Sequence, residues 1–118
     1  MPLVAPTTPD ARLAAIGRIA RGFVYTVSVT GTTGERASQQ TDVKTLLSRV
    51  KARCEVPVAL GFGISDGAQA AAAADAGADG VIVGSRLVRA VAEAVEAGQD
   101  PASQAGSLVA ELAAALVR

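Results

Sequence analysis

Histidine does not occur in the 118 residues. Its absence excludes a histidine general base, a histidine metal ligand and any Ser–His or Cys–His nucleophile pair. Cysteine occurs once, at Cys54, so neither an internal disulfide nor a cysteine cluster for zinc is available. That usage fits a reducing compartment. Tryptophan is absent and the aromatics are two Phe and one Tyr, which leaves packing to alanine, valine and leucine. Net charge is absent too: eleven basic residues balance eleven acidic ones. With no basic stripe interleaved with aromatics, nucleic acid is not an expected partner. No apolar run approaches the ~18 residues that span a membrane. The stretch "AQAAAAADAGA" is made of small residues and is interrupted by Asp75. No basic segment followed by an apolar core opens the chain, so no signal peptide is expected. The chain reads as cytoplasmic.

Half of the residues are hydrophobic, enough for a core, and the length suits one domain covering 1–118. Apolar periodicity then alternates. "LVAP" resembles a strand end. In "TTPDARLAAIGRIARG", Thr8 is a candidate cap, Pro9 suits the first helical position, and Leu13, Ile16, Ile19 and Ala20 form a stripe. "FVYTVSV" is the clearest strand. A second helix is expected from a cap at Thr41, with Val43, Leu46, Leu47, Val50 and Cys54 on one face. "VPVALGFG" is a short buried strand, and Ser65 is the expected cap of "DGAQAAAAADA". "DGVIVGS" is a further strand without polar alternation, as in a parallel sheet covered by helices. Leu87, Val88, Val91 and Val95 are expected to share the buried face of the next helix. Leu108, Val109, Leu112 and Leu116 are expected to do so in the last. Strict β-α alternation predicts parallel strands. Two architectures fit: a small open doubly wound sheet, or half of a (β/α)8 barrel, since a whole barrel needs roughly 200–250 residues.

Two strand ends share one chemistry. "ALGFGIS" leaves a strand through Gly61, Phe62 and Gly63, and "VIVGSRL" through Gly84 and Ser85, each directly before a helix. Glycine lets backbone approach an anion, and helix N-termini present free N–H groups and a favourable dipole. Either glycine loop alone is equally explained by a sharp turn. The two together, on adjacent strands, point to one shared phosphate site. Gly61, Gly63 and Gly67 miss the spacing of a dinucleotide fingerprint. The carboxylates lie at loops and helix faces, where Asp and Glu are ordinarily solvated. Tyr25 and Cys54 read as core residues. The remaining oddity is "VSVTGTTGER", residues 27–36, a polar loop longer than the usual 2–6 residues of α/β connections.

The segments "RGFVYTVSVTGTTGER", "PVALGFGIS" and "ADGVIVGSRLVR", in this order and spacing, resemble the C-terminal half of the tryptophan synthase alpha subunit. "LVAPTTPD" resembles the end of that family's fifth barrel strand and the loop after it. The resemblance spans residues 3–118. It implies a (β/α)8 TIM-barrel fold of which this chain holds strands five to eight, a single partial domain. It implies lyase chemistry in tryptophan biosynthesis, the cleavage of indole-3-glycerol phosphate to indole and glyceraldehyde 3-phosphate. It also implies a beta subunit as partner, to which the pyridoxal phosphate belongs; no cofactor or metal is expected on this chain. By the same resemblance "TGTTGER" is a lid. Thr33 is the lid threonine that organises a catalytic carboxylate, and Gly34 is the lid glycine that meets the phosphate. Tyr25 is the strand tyrosine near the substrate. Phe62 and Gly63 form one phosphate arm, and Gly84 and Ser85 the other. The family's catalytic Glu and Asp lie in the N-terminal half and have no counterpart here, so the chain alone is expected to be inactive. A truncated form, a gene fragment and a natural half-barrel all fit. The expected completion is the N-terminal half or a self-dimer, and the alternative function is a non-catalytic phosphate-binding half-barrel that self-associates.

Overall fold

A computed structural model describes residues 1–27, 36–61, 64 and 66–117, with backbone alone at 36–42. The described elements are β1 (Leu3–Val4), α1 (Asp10–Ile19), β2 (Val24–Val27), α2 (Arg36–Arg53), β3 (Val58–Gly61), α3 (Gly67–Asp75), β4 (Gly80–Ile82), α4 (Ser85–Glu96) and α5 (Pro101–Ala115). The four strands are parallel and lie in sequence order, β1-β2-β3-β4.

The register sorts the side chains by face. Val4 pairs with Thr26 and Thr26 with Leu60, and Leu60 pairs with Val81. This row packs with α1, α2 and the α3 alanines in one core cluster, while Val81 also meets the cluster built by α3, α4 and α5. All helices therefore cover the same face. A doubly wound sheet places helices on both faces and reverses strand order at a switch point. Neither feature is present among the described residues. The opposite face carries Leu3, Tyr25, Ala59 and Gly80 in one row, and Val27, Gly61 and Ile82 in the next. This second face is only partly buried, and Leu3 at the β1 edge is 62% exposed.

Several expected details move. Thr8 does not cap α1. Pro9 occupies the N-cap position without a side-chain bond, and the Thr8 hydroxyl accepts the Ala5 N–H at 3.0 Å. Helix α2 starts at Arg36, not Thr41. No glycine or proline interrupts 36–53, so the helix propagates N-terminally past its apolar stripe, which begins only at Val43. The α3 cap is Asp66, whose carboxylate accepts the Gln69 N–H at 2.8 Å; Ser65 lies outside the described residues. Ile19 is 72% exposed, because the buried stripe of α1 runs Leu13–Ile16–Ala20, one position away. On α4 the buried residues are Ala90 and Ala94, while Val88 and Val95 are 70% and 63% exposed. Small residues at the α4–α5 contact let the backbones approach, and the valines are left roughly 100–160° round the helix. On α5, Leu108 and Leu112 are buried and Val109 is exposed. The expected face of α2 is observed in full, with Leu46, Leu47, Val50 and Cys54 buried and Val43 packed beside them.

Helices α3 and α4 stop at glycines in left-handed conformation, Gly77 (φ 115°) and Gly98 (φ 71°). Each closes the paired bonds that satisfy the last free carbonyls: Gly77 and Ala78 N–H to Ala74 and Ala73, and Gly98 and Gln99 N–H to Val95 and Ala94.

Candidate functional site

The uncovered face of the sheet and the strand ends above it frame the candidate site. Tyr25, on β2, stands in register with Ala59 of β3. Its ring reaches diagonally over Gly61: a Cβ at Gly61 would meet the Tyr25 hydroxyl, with Cε1 and Cζ at 2.6 Å. Gly61 is not the turn residue that its place in "GFG" suggests. It lies within β3, paired with Val27 and Ile82, and its missing side chain is the seat of the tyrosine ring. Tyr25 is half-buried, with its polar end toward the sheet's C-terminal edge.

One strand further, β4 ends at Ile82 and the chain turns into α4. Gly84 is the N-cap residue and Ser85 the first helical residue; both are exposed. Among the described residues, its chain neighbours aside, no atom lies within 4 Å of where a Gly84 Cβ would stand. The Gly84 carbonyl accepts the first helical bond, from Val88 N–H at 3.1 Å. The N–H groups of the first turn have no acceptor within the helix itself, and the α4 dipole adds partial positive charge there. Among the described residues, this end of α4 is uncovered. Tyr25 on β2 and Gly84 and Ser85 after β4 thus flank β3 from its two sides. Thr33, Gly34, Phe62 and Gly63 lie outside the described residues.

Two fasteners of the fold escaped the motif reading. Arg49 of α2 donates from Nη2 to the Thr8 carbonyl at 2.8 Å and to Asp10 Oδ1 at 2.9 Å. It also donates from Nε to the same carboxylate at 3.2 Å. It ties α2 to the loop that follows β1. Asp79 accepts the Val58 N–H at 2.9 Å and Lys51 Nζ at 3.4 Å, while Asp79 N–H donates to the Val58 carbonyl at 2.8 Å. It pins the start of β3 to the turn before β4. Both residues look like ordinary solvated charges in sequence, because their partners are 21 to 41 positions away. Burial raises the Cys54 pKa above its ordinary value, which suits a thiol packed as a small apolar group. No group of three His, Cys, Asp or Glu side chains is gathered for a metal among the described residues.

A family model described as "Tryptophan synthase alpha chain" matches residues 1–117. Among curated relatives, the tryptophan synthase alpha chain of Lactiplantibacillus plantarum is 52% identical over 92 residues, covering 78% of this chain and 34% of the relative. That of Prochlorococcus marinus is 46% identical over 113 residues, covering 96% and 42%. The crystal structure of tryptophan synthase subunit alpha from Legionella pneumophila superposes with a TM-score of 0.82 at 34% identity. It covers 98% of this chain and 41% of that one. A structure of tryptophan synthase from M. tuberculosis, in an open form with BRD0059 bound, gives 0.74 at 40% identity, covering 97% and 39%. The chain spans about a third to two-fifths of the length of the curated relatives it matches.

Proposed function

Because the chain belongs to the tryptophan synthase alpha chain family, we propose that it is the phosphate-binding half of an alpha-type lyase barrel. Its four strands stand for strands five to eight. Its substrate is indole-3-glycerol phosphate, and its chemistry is completed by acid-base groups that this chain does not carry. The observation that carries the reading is the open N-terminus of α4 at Gly84 and Ser85. The phosphate of the substrate seats there, held by backbone N–H groups, the Ser85 hydroxyl and the helix dipole. Gly63 and Phe62 supply the second arm, and Gly34 closes on the phosphate from the lid that also bears Thr33. Tyr25 lines the wall next to the reacting carbons.

The retro-aldol cleavage needs a proton delivered to the indole ring and another removed from the glycerol hydroxyl. Each such transfer by a placed side chain contributes about 10²–10⁴-fold. The family's Glu and Asp for these steps belong to the N-terminal half. The chain therefore binds and orients substrate, and a completing half performs the proton transfers. No cofactor is assigned to this chain; the pyridoxal phosphate sits on the beta subunit to which indole passes. The compartment is the cytoplasm, in line with the single reduced cysteine.

A second reading, a non-catalytic phosphate-binding half-barrel that self-associates, draws support from the half-bare sheet face and the exposed Leu3. A phosphate titration of the isotopically labelled chain tests the site. Amide shifts are expected to gather at 84–87 and to be lost in Gly84→Val, where a branched side chain blocks approach to the backbone. Shifts gathered elsewhere would overturn the assignment.

A further inference from the structure

Helix α4 is apolar on two sides and covered on one. Ala90 and Ala94 form its buried side, and the helix it packs on is chiefly α5. Val88, Val91 and Val95 stand at i, i+3 and i+7 and share a second face. All three are exposed, and so is Ala92 between them. The polar residues Arg86, Arg89, Glu93 and Glu96 gather in the remaining arc of about 80°. Single exposed valines are ordinary; a row of them with the charges collected elsewhere is the pattern of a helix covered on both sides.

Helix α1 carries the counterpart. Its Gly17 touches the Arg53 carbonyl of α2. Ile19 lies two positions on, about 200° round the helix, and is exposed. The charges that border the two faces are opposite. Arg18 and Arg21 flank Ile19, with no acidic residue from 11 to 34. Glu93 and Glu96 flank Val95, with Asp100 following and no basic residue from 90 to 117. All five charges are exposed. Glu93 is drawn toward Arg89 at 3.6 Å, whereas Glu96 has no ion pair among the described residues.

We infer that the valine face of α4 docks the Ile19 edge of α1 in a second copy of this chain. The inference rests on the self-associating reading above and adds the surface that makes the contact. The topology sets the level of the two faces. Strands β1 and β4 are the outermost of a parallel sheet, and α1 and α4 are the helices that follow them. A copy that sets its β1 beside β4 therefore brings the C-terminal half of its α1 level with the C-terminal half of α4. Ile19 then meets Val91 and Val95, while Arg18 and Arg21 face Glu93 and Glu96. The same contact made in return, about a twofold axis, closes the pair as a dimer.

Sedimentation equilibrium of the full chain and its variants tests the surface. The wild type is expected to dimerise. Val95→Glu sets a charge in the contact while leaving an exposed position exposed in the monomer, and should weaken the dimer at least about tenfold. Glu96→Arg should weaken it too, by like charges. Adding Arg18→Glu and Arg21→Glu to Glu96→Arg reverses the facing charges and should restore it, which a fold defect would not do. A dimer that Val95→Glu and Glu96→Arg leave intact would overturn this surface and keep self-association. A wild type that stays monomeric would overturn both.

Discussion

At the residue scale, the pairing of Tyr25 with Gly61 is the tightest constraint around the site. The ring occupies the space a Cβ would need, so Gly61→Ala should push the ring off the sheet at a cost of about 1–3 kcal/mol, the usual range for overpacking. Tyr25 is the sole tyrosine and tryptophan is absent, so tyrosine fluorescence reports this one ring. Changed emission together with a lower denaturation midpoint is expected; an unchanged signal and midpoint would refute the packing. Thr26, the next residue, presents the opposite case. It is a buried polar side chain of the core, fully out of solvent, and its Oγ1 has no hydrogen-bond partner among the described residues. Thr26→Val removes a desolvated hydroxyl without changing shape much, and should raise stability by about 1 kcal/mol. A fall in urea midpoint would mean that the hydroxyl is satisfied after all. Neither role is legible in the sequence. "FVYTVSV" identifies a strand, but which of its residues faces helices and which faces the bare side follows from the register with β3.

At the element scale, the helix most legible in sequence was α2, whose stripe from Val43 to Cys54 is long and regular. The least legible was α4, where valine was expected inside and alanine is found there. Hydrophobicity ranks valine above alanine, but close helix contact selects for size, and the sequence does not announce how near α5 comes. The boundaries that moved, at Thr8, Thr41 and Ser65, all rested on a single capping residue. Competing caps and helix propagation outvote such local signals. A close contact also joins α1 to α2. A Cβ on Gly17 would collide with the Arg53 carbonyl oxygen, with the carbonyl carbon at 2.8 Å. Gly17→Ala ordinarily favours a helix by about 1 kcal/mol. Here it should destabilise by about 1–3 kcal/mol, because backbone rather than a flexible side chain must yield. Thermal unfolding of the two proteins decides the sign, and a raised midpoint would contradict the contact.

At the scale of the whole molecule, the fold class and the order of elements were legible because β-α alternation leaves few topologies. The choice between doubly wound sheet and barrel-type layering was not, since both give the same periodicity. The one-sided helix layer decided it. The radius of gyration is 15.5 Å, against about 13–14 Å for a compact chain of this length. The extra extent fits a sheet whose second face is half bare. Among the described residues no strand pairs with the outer edges of β1 and β4, and edges of this kind drive association. Two copies joined edge to edge about a twofold axis satisfy both at once. Light scattering of the purified chain should therefore give a mass above that of the monomer. A stable monomer would show that the edges and the bare face tolerate water.

The central claim is that this chain holds the substrate's phosphate but not the groups that break its carbon–carbon bond. Phosphorus NMR of indole-3-glycerol phosphate mixed with the purified chain reads both halves of the claim in one sample. The account predicts a shifted or broadened phosphate resonance, restored to its free position when Gly84→Val replaces the wild type, and no glyceraldehyde 3-phosphate signal growing with time. An unperturbed resonance, or product accumulating from the chain alone, would contradict it.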